Sequence, residues 1–135
     1  MKTAVIYWSG TGNTEAMAQA VAEGAGAELF CVSDFKGNIA DYDRIAFGCP
    51  SMGDEVLEES EFEPFFSEIE SQLSGKTIAL FGSYGWGDDE WMRNWVERAV
   101  NDGAAVINDE GLIVNDAPGD SDLADCRALG ESLIK

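Results

Sequence analysis

Apolar residues fall along this chain in two alternating kinds of segment. Short runs of near-continuous apolar character, such as Ala4-Val5-Ile6-Tyr7-Trp8, Ile45-Ala46-Phe47 and Ile78-Ala79-Leu80-Phe81, are closed by glycine, proline or hydroxyl residues and read as strands buried on both faces. Between them, apolar residues recur at helical spacing. Phe62, Phe65, Phe66, Ile69 and Leu73 form one stripe, Trp91, Met92, Trp95, Val96 and Ala99 a second, and Leu123, Cys126, Leu129, Leu133 and Ile134 a third. The pattern predicts strands over 3–8, 27–32, 44–49, 77–82 and 104–114, the last irregular around Asp109-Glu110-Gly111. It predicts helices over 13–25 (ending near Gly24 and Gly26), 62–73, 88–101 and 120–134, with a short irregular or one-turn stretch around Asn38-Ile39-Ala40-Asp41.

Strictly alternating β and α segments with buried strands imply an α/β fold, a parallel sheet with helices on both faces. Right-handed crossovers leave few topologies, and five strands suit a doubly wound five-stranded parallel sheet of order 2-1-3-4-5. Residues 1–135 then form a single domain, with no repeat, linker or low-complexity segment. In that topology ligands bind at the carboxyl ends of strands 1, 3 and 4. The three unusual segments of the chain fall at those ends: Ser9-Gly10-Thr11-Gly12-Asn13-Thr14, Cys49-Pro50-Ser51-Met52-Gly53-Asp54-Glu55 and Ser83-Tyr84-Gly85-Trp86-Gly87-Asp88.

The first segment joins a strand to a helix start. Such a turn presents backbone N–H groups to an anion, and the helix dipole favours negative charge there. Ser9, Thr11, Asn13 and Thr14 add neutral hydrogen-bonding groups, and no Lys or Arg lies between Lys2 and Lys36. A phosphate here is held by dipoles alone; the plainer alternative is a polar loop whose Thr or Asn caps the helix. A P-loop needs Gly-Lys-Ser/Thr, whereas Gly12 is followed by Asn13-Thr14. A dinucleotide fingerprint needs a third Gly where Glu15 stands, so Asp34 reads as a turn residue and not as a ribose ligand. The loop suits a phosphate monoester. In the other two segments, Trp86 between two glycines has little reason to be core and can serve as a stacking platform for a planar ring. Met52 is suited to cover the opposite face, and Gly53 permits positive φ. Taken singly, each is more ordinarily a surface aromatic or a turn glycine.

Composition narrows the class. Eight basic residues against 26 acidic ones leave a net charge of −18, which argues against nucleic acid and anionic membranes and for basic partner surfaces. Hydrophobic content of 45% with 10% aromatics excludes disorder as the reason for that charge. The acids crowd two stretches, Asp54 to Glu63 and Asp88 to Glu90, both beside candidate ligand loops. No apolar run is long enough to span a bilayer, and no signal peptide precedes the first strand. Cys31, Cys49 and Cys126 form no C-x-x-C pair, and with no His a zinc site is not expected. A reduced, cytoplasmic compartment fits such cysteine usage, with Cys31 and Cys49 as core residues.

Taken together, Tyr7-Trp8-Ser9-Gly10-Thr11-Gly12-Asn13-Thr14-Glu15, Gly48-Cys49-Pro50-Ser51-Met52-Gly53-Asp54-Glu55 and Phe81-Gly82-Ser83-Tyr84-Gly85-Trp86-Gly87 resemble the three FMN loops of short-chain flavodoxins of the clostridial type. The similarity runs the whole chain, through Glu58-Glu59-Ser60-Glu61-Phe62-Glu63-Pro64-Phe65, and strand five lacks the long insertion of the long-chain class. The resemblance implies a flavodoxin-like fold and non-covalently bound FMN. Ser9, Gly10, Thr11, Gly12, Asn13 and Thr14 would hold the phosphate; Pro50 and Ser51, with the Ser83 region, would contact the ribityl chain. Trp86 and Met52 would flank the ring, Glu55 would accept from flavin N3–H, and Gly53-Asp54 would form the redox-sensitive turn. Tyr84, Gly85, Gly87 and Asp88 complete the third loop. The implied role is a low-potential one-electron carrier, not an enzyme, shuttling between semiquinone and hydroquinone. Its expected partners are basic-surfaced ferredoxin- or flavodoxin-dependent oxidoreductases and reductases, and the carrier itself a monomer.

The alternative is an NAD(P)H-dependent FMN quinone or flavin reductase, which shares the architecture but needs a second pocket and usually extra length. A response-regulator receiver needs acids directly after strand 1, where Ser9-Gly10 stand, and a low-molecular-weight phosphatase needs a Cys and an Arg in the first loop.

Overall fold

The computed structural model describes residues 1–53 and 55–135. Its parallel sheet contains β1 (Thr3–Tyr7), β2 (Glu28–Cys31), β3 (Arg44–Gly48), β4 (Thr77–Tyr84), β5 (Ala105–Val106) and β6 (Leu112–Asn115). The helices are α1 (Asn13–Ala25), α2 (Phe62–Ile69), α3 (Glu90–Asn101) and α4 (Asp120–Leu133). Strand order is β2-β1-β3-β4-β5, with β6 also paired to β4, so the doubly wound 2-1-3-4-5 order holds. Strand five is interrupted where the sequence predicts irregularity, and divides into β5 and β6. Thr77 pairs with Ala105, 28 positions on, and Phe81 with Leu112, 31 positions on, so three residues are looped out. The excursion turns on Asn108 and Asp109, both at positive φ (65° and 57°), a conformation Asn and Asp tolerate better than most side chains.

Alternation along the strands sorts the core into two layers. Ala4, Ile6, Ile45, Phe47, Ile78 and Leu80 face α2 and α3, where Trp95 meets Phe62 and Phe66 edge to face. Val5, Tyr7, Ala46, Ala79 and Phe81 face α1 and α4. The second layer is thinner in side-chain volume, and its two helices approach closely. A Cβ on Gly24 would stand 2.0 Å from the Arg127 carbonyl oxygen, and one on Gly130 would stand 2.1 Å from that of Val21. A glycine inside a helix costs about 1 kcal/mol relative to alanine; here it is the condition for backbone-to-backbone packing. α1 therefore continues through Gly24 to Ala25 and is closed by Gly26 in the left-handed conformation.

Helix α2 tightens after Ile69 into a 3-10 turn over Glu70–Gln72 within the expected 62–73 span, and the stretch around residues 38–41 is a single 3-10 turn capped by the Asn38 side chain. Asp34 is exposed at the end of another such turn, as a turn residue should be. Among the described residues no helix is long and apolar enough to cross a membrane.

Candidate functional site

The loops that leave β1, β3 and β4 meet at one edge of the sheet. Between them lies a cavity of about 220 Å³, lined by Trp8, Ser9, Gly10, Thr11, Asn13 and Thr14 of the first loop, Pro50, Ser51 and Met52 of the second, Ser83, Tyr84 and Gly85 of the third, and Asp116. Helix α1 starts here with Gly12 at its N-cap and no side-chain capping bond. The loop's own hydroxyls engage two amides weakly: Gly12 N–H donates to Ser9 Oγ (3.1 Å) and Asn13 N–H to Thr11 Oγ1 (3.4 Å). The other N–H groups of that first turn have no intrahelical partner. Thr14 is buried beneath, its hydroxyl 2.9 Å from that of Ser83, which locks the first loop to the third. Among the described residues no Lys or Arg lines the cavity, and Asp116 is the one carboxylate that does. Such a set of neutral donors at a helix N-terminus stabilises an anion through dipoles and does not neutralise it.

The second loop is a tight turn closed by two backbone hydrogen bonds, Met52 N–H to the Val56 carbonyl (2.8 Å) and Val56 N–H to the Met52 carbonyl (3.1 Å). Inside it Gly53 (φ 40°) and Glu55 (φ 59°) are left-handed; Asp54, expected in the same turn, lies outside the described residues. Ser51 N–H donates to the Ser83 carbonyl (3.0 Å), and Asp88 N–H to Glu55 Oε1 (2.9 Å), so this loop is tied to the third at both ends. Carboxylate oxygens of Glu55, Asp88 and Glu90 lie within 4.8 Å of one another, concentrating negative charge beside the third loop.

Two large apolar side chains stand at the rim: Met52, 36% exposed, and Trp86, 65% exposed, next to the lining residue Gly85. An indole left this open has its faces available to a planar ring. Gly12, Gly53, Glu55, Trp86, Gly87 and Asp88 thus lie in the three loops but outside the cavity lining, and the remaining described candidates line it. A larger cavity, about 630 Å³, lies between α3 and β6 over Met92, Val96 and Ile113; it takes no residue from the three loops, and volume alone gives it no chemistry.

Three residues belong to the site or its frame although their pattern reads otherwise. Trp8, at a strand end, lines the cavity and donates its indole N–H to Glu61 Oε1 (3.2 Å). Asp116 sits at φ 57°, its N–H on the Tyr84 carbonyl (2.8 Å); the signal for it is the Asp116-Ala117-Pro118-Gly119 turn, which follows a strand at the same sheet edge. Glu58, inside an acidic run, is buried and accepts hydrogen bonds from the amides of Ser60, Glu61 and Phe62 and from the Ser60 hydroxyl. Burial pushes the Glu58 carboxyl up, but those donors outweigh it and hold it below the usual carboxylate range. Cys49 and Cys126 are buried free thiols, Cys31 a half-buried one.

Residues 5–130 match the family described as flavodoxin. The chain is 46% identical to a flavodoxin of Clostridium beijerinckii over 135 residues, covering 96% of each chain, and 46% identical to one of Megasphaera elsdenii over 137 residues, covering 97% of each. In three dimensions it is similar to the two-electron reduced Megasphaera elsdenii flavodoxin (TM-score 0.82, 44% identity, 98% of each chain). A flavodoxin from the domain Archaea superposes with a TM-score of 0.86 at 30% identity, over 99% of this chain and 96% of that one. With full-length relatives above 40% identity and the family's match spanning nearly every element of the sheet, this chain belongs to the flavodoxin family.

Proposed function

We propose that the cavity between the three loops is where this chain holds its FMN. As a flavodoxin the protein is an FMN-binding electron carrier and not an enzyme; the bound flavin supplies the redox chemistry, and the chain binds it and sets its energetics. In our reading Ser9, Gly10, Thr11, Gly12, Asn13 and Thr14 hold the phosphate at the start of α1. Pro50, Ser51, Ser83, Tyr84 and Gly85 line the path of the ribityl chain. Met52 and Trp86 cover the two faces of the ring, with Gly53, Glu55, Gly87 and Asp88 at its edge; Asp54 belongs to the same proposed edge by sequence. The cavity itself carries this reading: an uncapped helix start and neutral donors at one end, and two exposed apolar side chains from separate loops at the other.

The finer biology is inferred too. The acidic residues Glu55, Asp88 and Glu90 at the rim suit redox enzymes with basic surfaces, the flavodoxin-dependent oxidoreductases and reductases. Strong net negative charge opposes self-association and suits a monomer that is one domain throughout; three free thiols suit a cytoplasmic setting. Titrating the apoprotein with FMN and with riboflavin, followed by tryptophan fluorescence in wild type and in Trp86→Phe, tests the site. FMN is expected to quench the indole and to bind at least tenfold more tightly than riboflavin, which lacks the phosphate. A potentiometric titration is expected to show electrons taken up one at a time, with no turnover on NADPH alone. Equal affinity for both flavins would remove the phosphate cradle from this reading, and NADPH turnover would favour a reductase.

A further inference from the structure

The helical spacing of Trp91 reads as packing, and its ring is indeed buried. The indole N–H, however, donates to the carbonyl of Cys49, 3.3 Å away, at the point where the chain leaves β3 for the second loop. The same ring lies against β4. A Cβ on Gly82 would stand 3.3 Å from Trp91 Cζ2 and only 2.1 Å from that Cys49 oxygen, so the missing side chain at Gly82 makes the space that carbonyl occupies. Two residues further on, Tyr84 packs on Trp91 with ring centroids 5.6 Å apart. One side chain from α3 therefore touches the roots of both loops that flank the proposed ring site. Cys49 is fully buried, and its carbonyl needs a donor that water does not supply.

We propose that Trp91 is a positioning residue for the flavin: its indole N–H fixes the Cys49 carbonyl and thereby sets the second loop against the third. This rests on the reading of the cavity as the FMN site. Packing alone does not need the N–H, and the neighbouring Trp95 shows the difference. Trp95 is equally buried, against Phe62 and Phe66, yet among the described residues its Nε1 has no hydrogen-bond partner. Replacing Trp95 by Phe removes a donor that nothing uses, whereas replacing Trp91 by Phe keeps an aromatic ring and strips the buried Cys49 carbonyl of its partner.

Trp91→Phe and Trp95→Phe, compared side by side with wild type in FMN titrations of the oxidised and fully reduced states, separate positioning from packing. Trp91→Phe is expected to raise the oxidised-state dissociation constant about three- to tenfold, the range of one lost hydrogen bond. The second loop carries the turn that the resemblance makes redox-sensitive, so the ratio of the two constants is expected to shift at least threefold. Trp95→Phe is expected to leave both constants within twofold of wild type. A Trp91→Phe protein that matches Trp95→Phe in both constants overturns the inference, whatever happens to its melting temperature, and leaves the FMN site standing. Should Trp91→Phe fail to fold, the indole protons of the wild-type protein decide by NMR. Slower exchange at Trp91 than at Trp95, with a larger shift on FMN binding, supports the inference; indistinguishable behaviour overturns it. Wild-type protein that binds no FMN removes the site reading and this inference together.

Discussion

At Gly53 the backbone is left-handed (φ 40°), and nothing lies within 4 Å of where a Cβ would stand. A substitution there changes conformational cost and not packing, which makes it an unusually clean probe of the turn. A Cβ at positive φ costs on the order of 1 kcal/mol, and a β-branched side chain costs more. Gly53→Ala is expected to lower the first one-electron reduction potential and to leave less one-electron-reduced protein at half reduction. Affinity for oxidised FMN should stay within about twofold if, as the resemblance implies, the Gly53-Asp54 turn is drawn on chiefly in the reduced states. Gly53→Thr should do the same more strongly. Spectroelectrochemical titration of the three proteins decides, and unchanged potentials in both variants would free this peptide of any redox role. Gly87 illustrates the opposite situation: it too has positive φ, but a Cβ there would meet Glu55 Oε1 at 2.3 Å, so a substitution would disturb the neighbouring loop as well.

Helix α2 depends on a residue that precedes it. Glu58 gathers the amides of Ser60, Glu61 and Phe62 on one buried carboxylate, while its own N–H donates to Cys49 Sγ (3.3 Å), so the helix start and the base of the second loop share an anchor. Because the folded-state pKa is held low, this contribution is complete above the ordinary glutamate value, about 4.3, and is lost as pH falls through the lower folded value. Glu58→Gln is expected to cost about 1–3 kcal/mol at pH 7 and to flatten the acid limb of stability, read from urea unfolding across pH 3–7. An unchanged acid limb would assign that pH dependence to other carboxylates. Glu58 also shows where the sequence stops being legible. Its run, Asp54 to Glu63, has the composition of a solvated face, and only the turn of the chain after Leu57 brings that carboxylate inward. The strands and helices were readable because buried parallel strands and amphipathic helices carry strong periodic signals. The irregularity of strand five around Asp109-Glu110-Gly111 is legible too, but not the number of residues looped out, which follows from pairing with β4 and is not encoded in local pattern. Likewise the three site loops announce themselves through glycine and hydroxyl content, whereas Asp116 reaches the cavity only through the topology that sets strand five beside strand four.

Over the whole molecule, the few cations are mostly spent on internal ties. Arg98 bridges Glu63 of α2 and Glu70 (both 2.7 Å), Arg127 joins α4 to Glu23 of α1 (3.1 Å), and Arg44 donates to the carbonyls of Leu133 and Lys135 at the end of α4. Lys76 likewise donates to the Tyr42 carbonyl (2.7 Å), and near the proposed ring site Arg93 is, among the described residues, the one cation paired with the acids, held to Asp89 (3.0 Å) in an exposed contact of little strength. The net charge of −18 is thus left largely uncompensated over the surface, including the rim of the proposed flavin site. Two consequences of opposite sign follow from the same field. Steering toward a basic partner weakens as the screening length falls, to about 10 Å at 0.1 M salt and about 3 Å at 1 M, so the second-order rate of electron transfer is expected to drop with ionic strength. Self-repulsion within the compact state weakens over the same range, so the melting temperature of the protein is expected to rise. Stopped-flow electron transfer to a basic-surfaced acceptor and thermal unfolding, both run from 10 mM to 1 M sodium chloride, test the pair. Rates that stay flat while stability climbs would place the acidic surface outside the docking face; if neither changes, the carboxylates are already neutralised by bound counterions, and charge steers nothing in this protein.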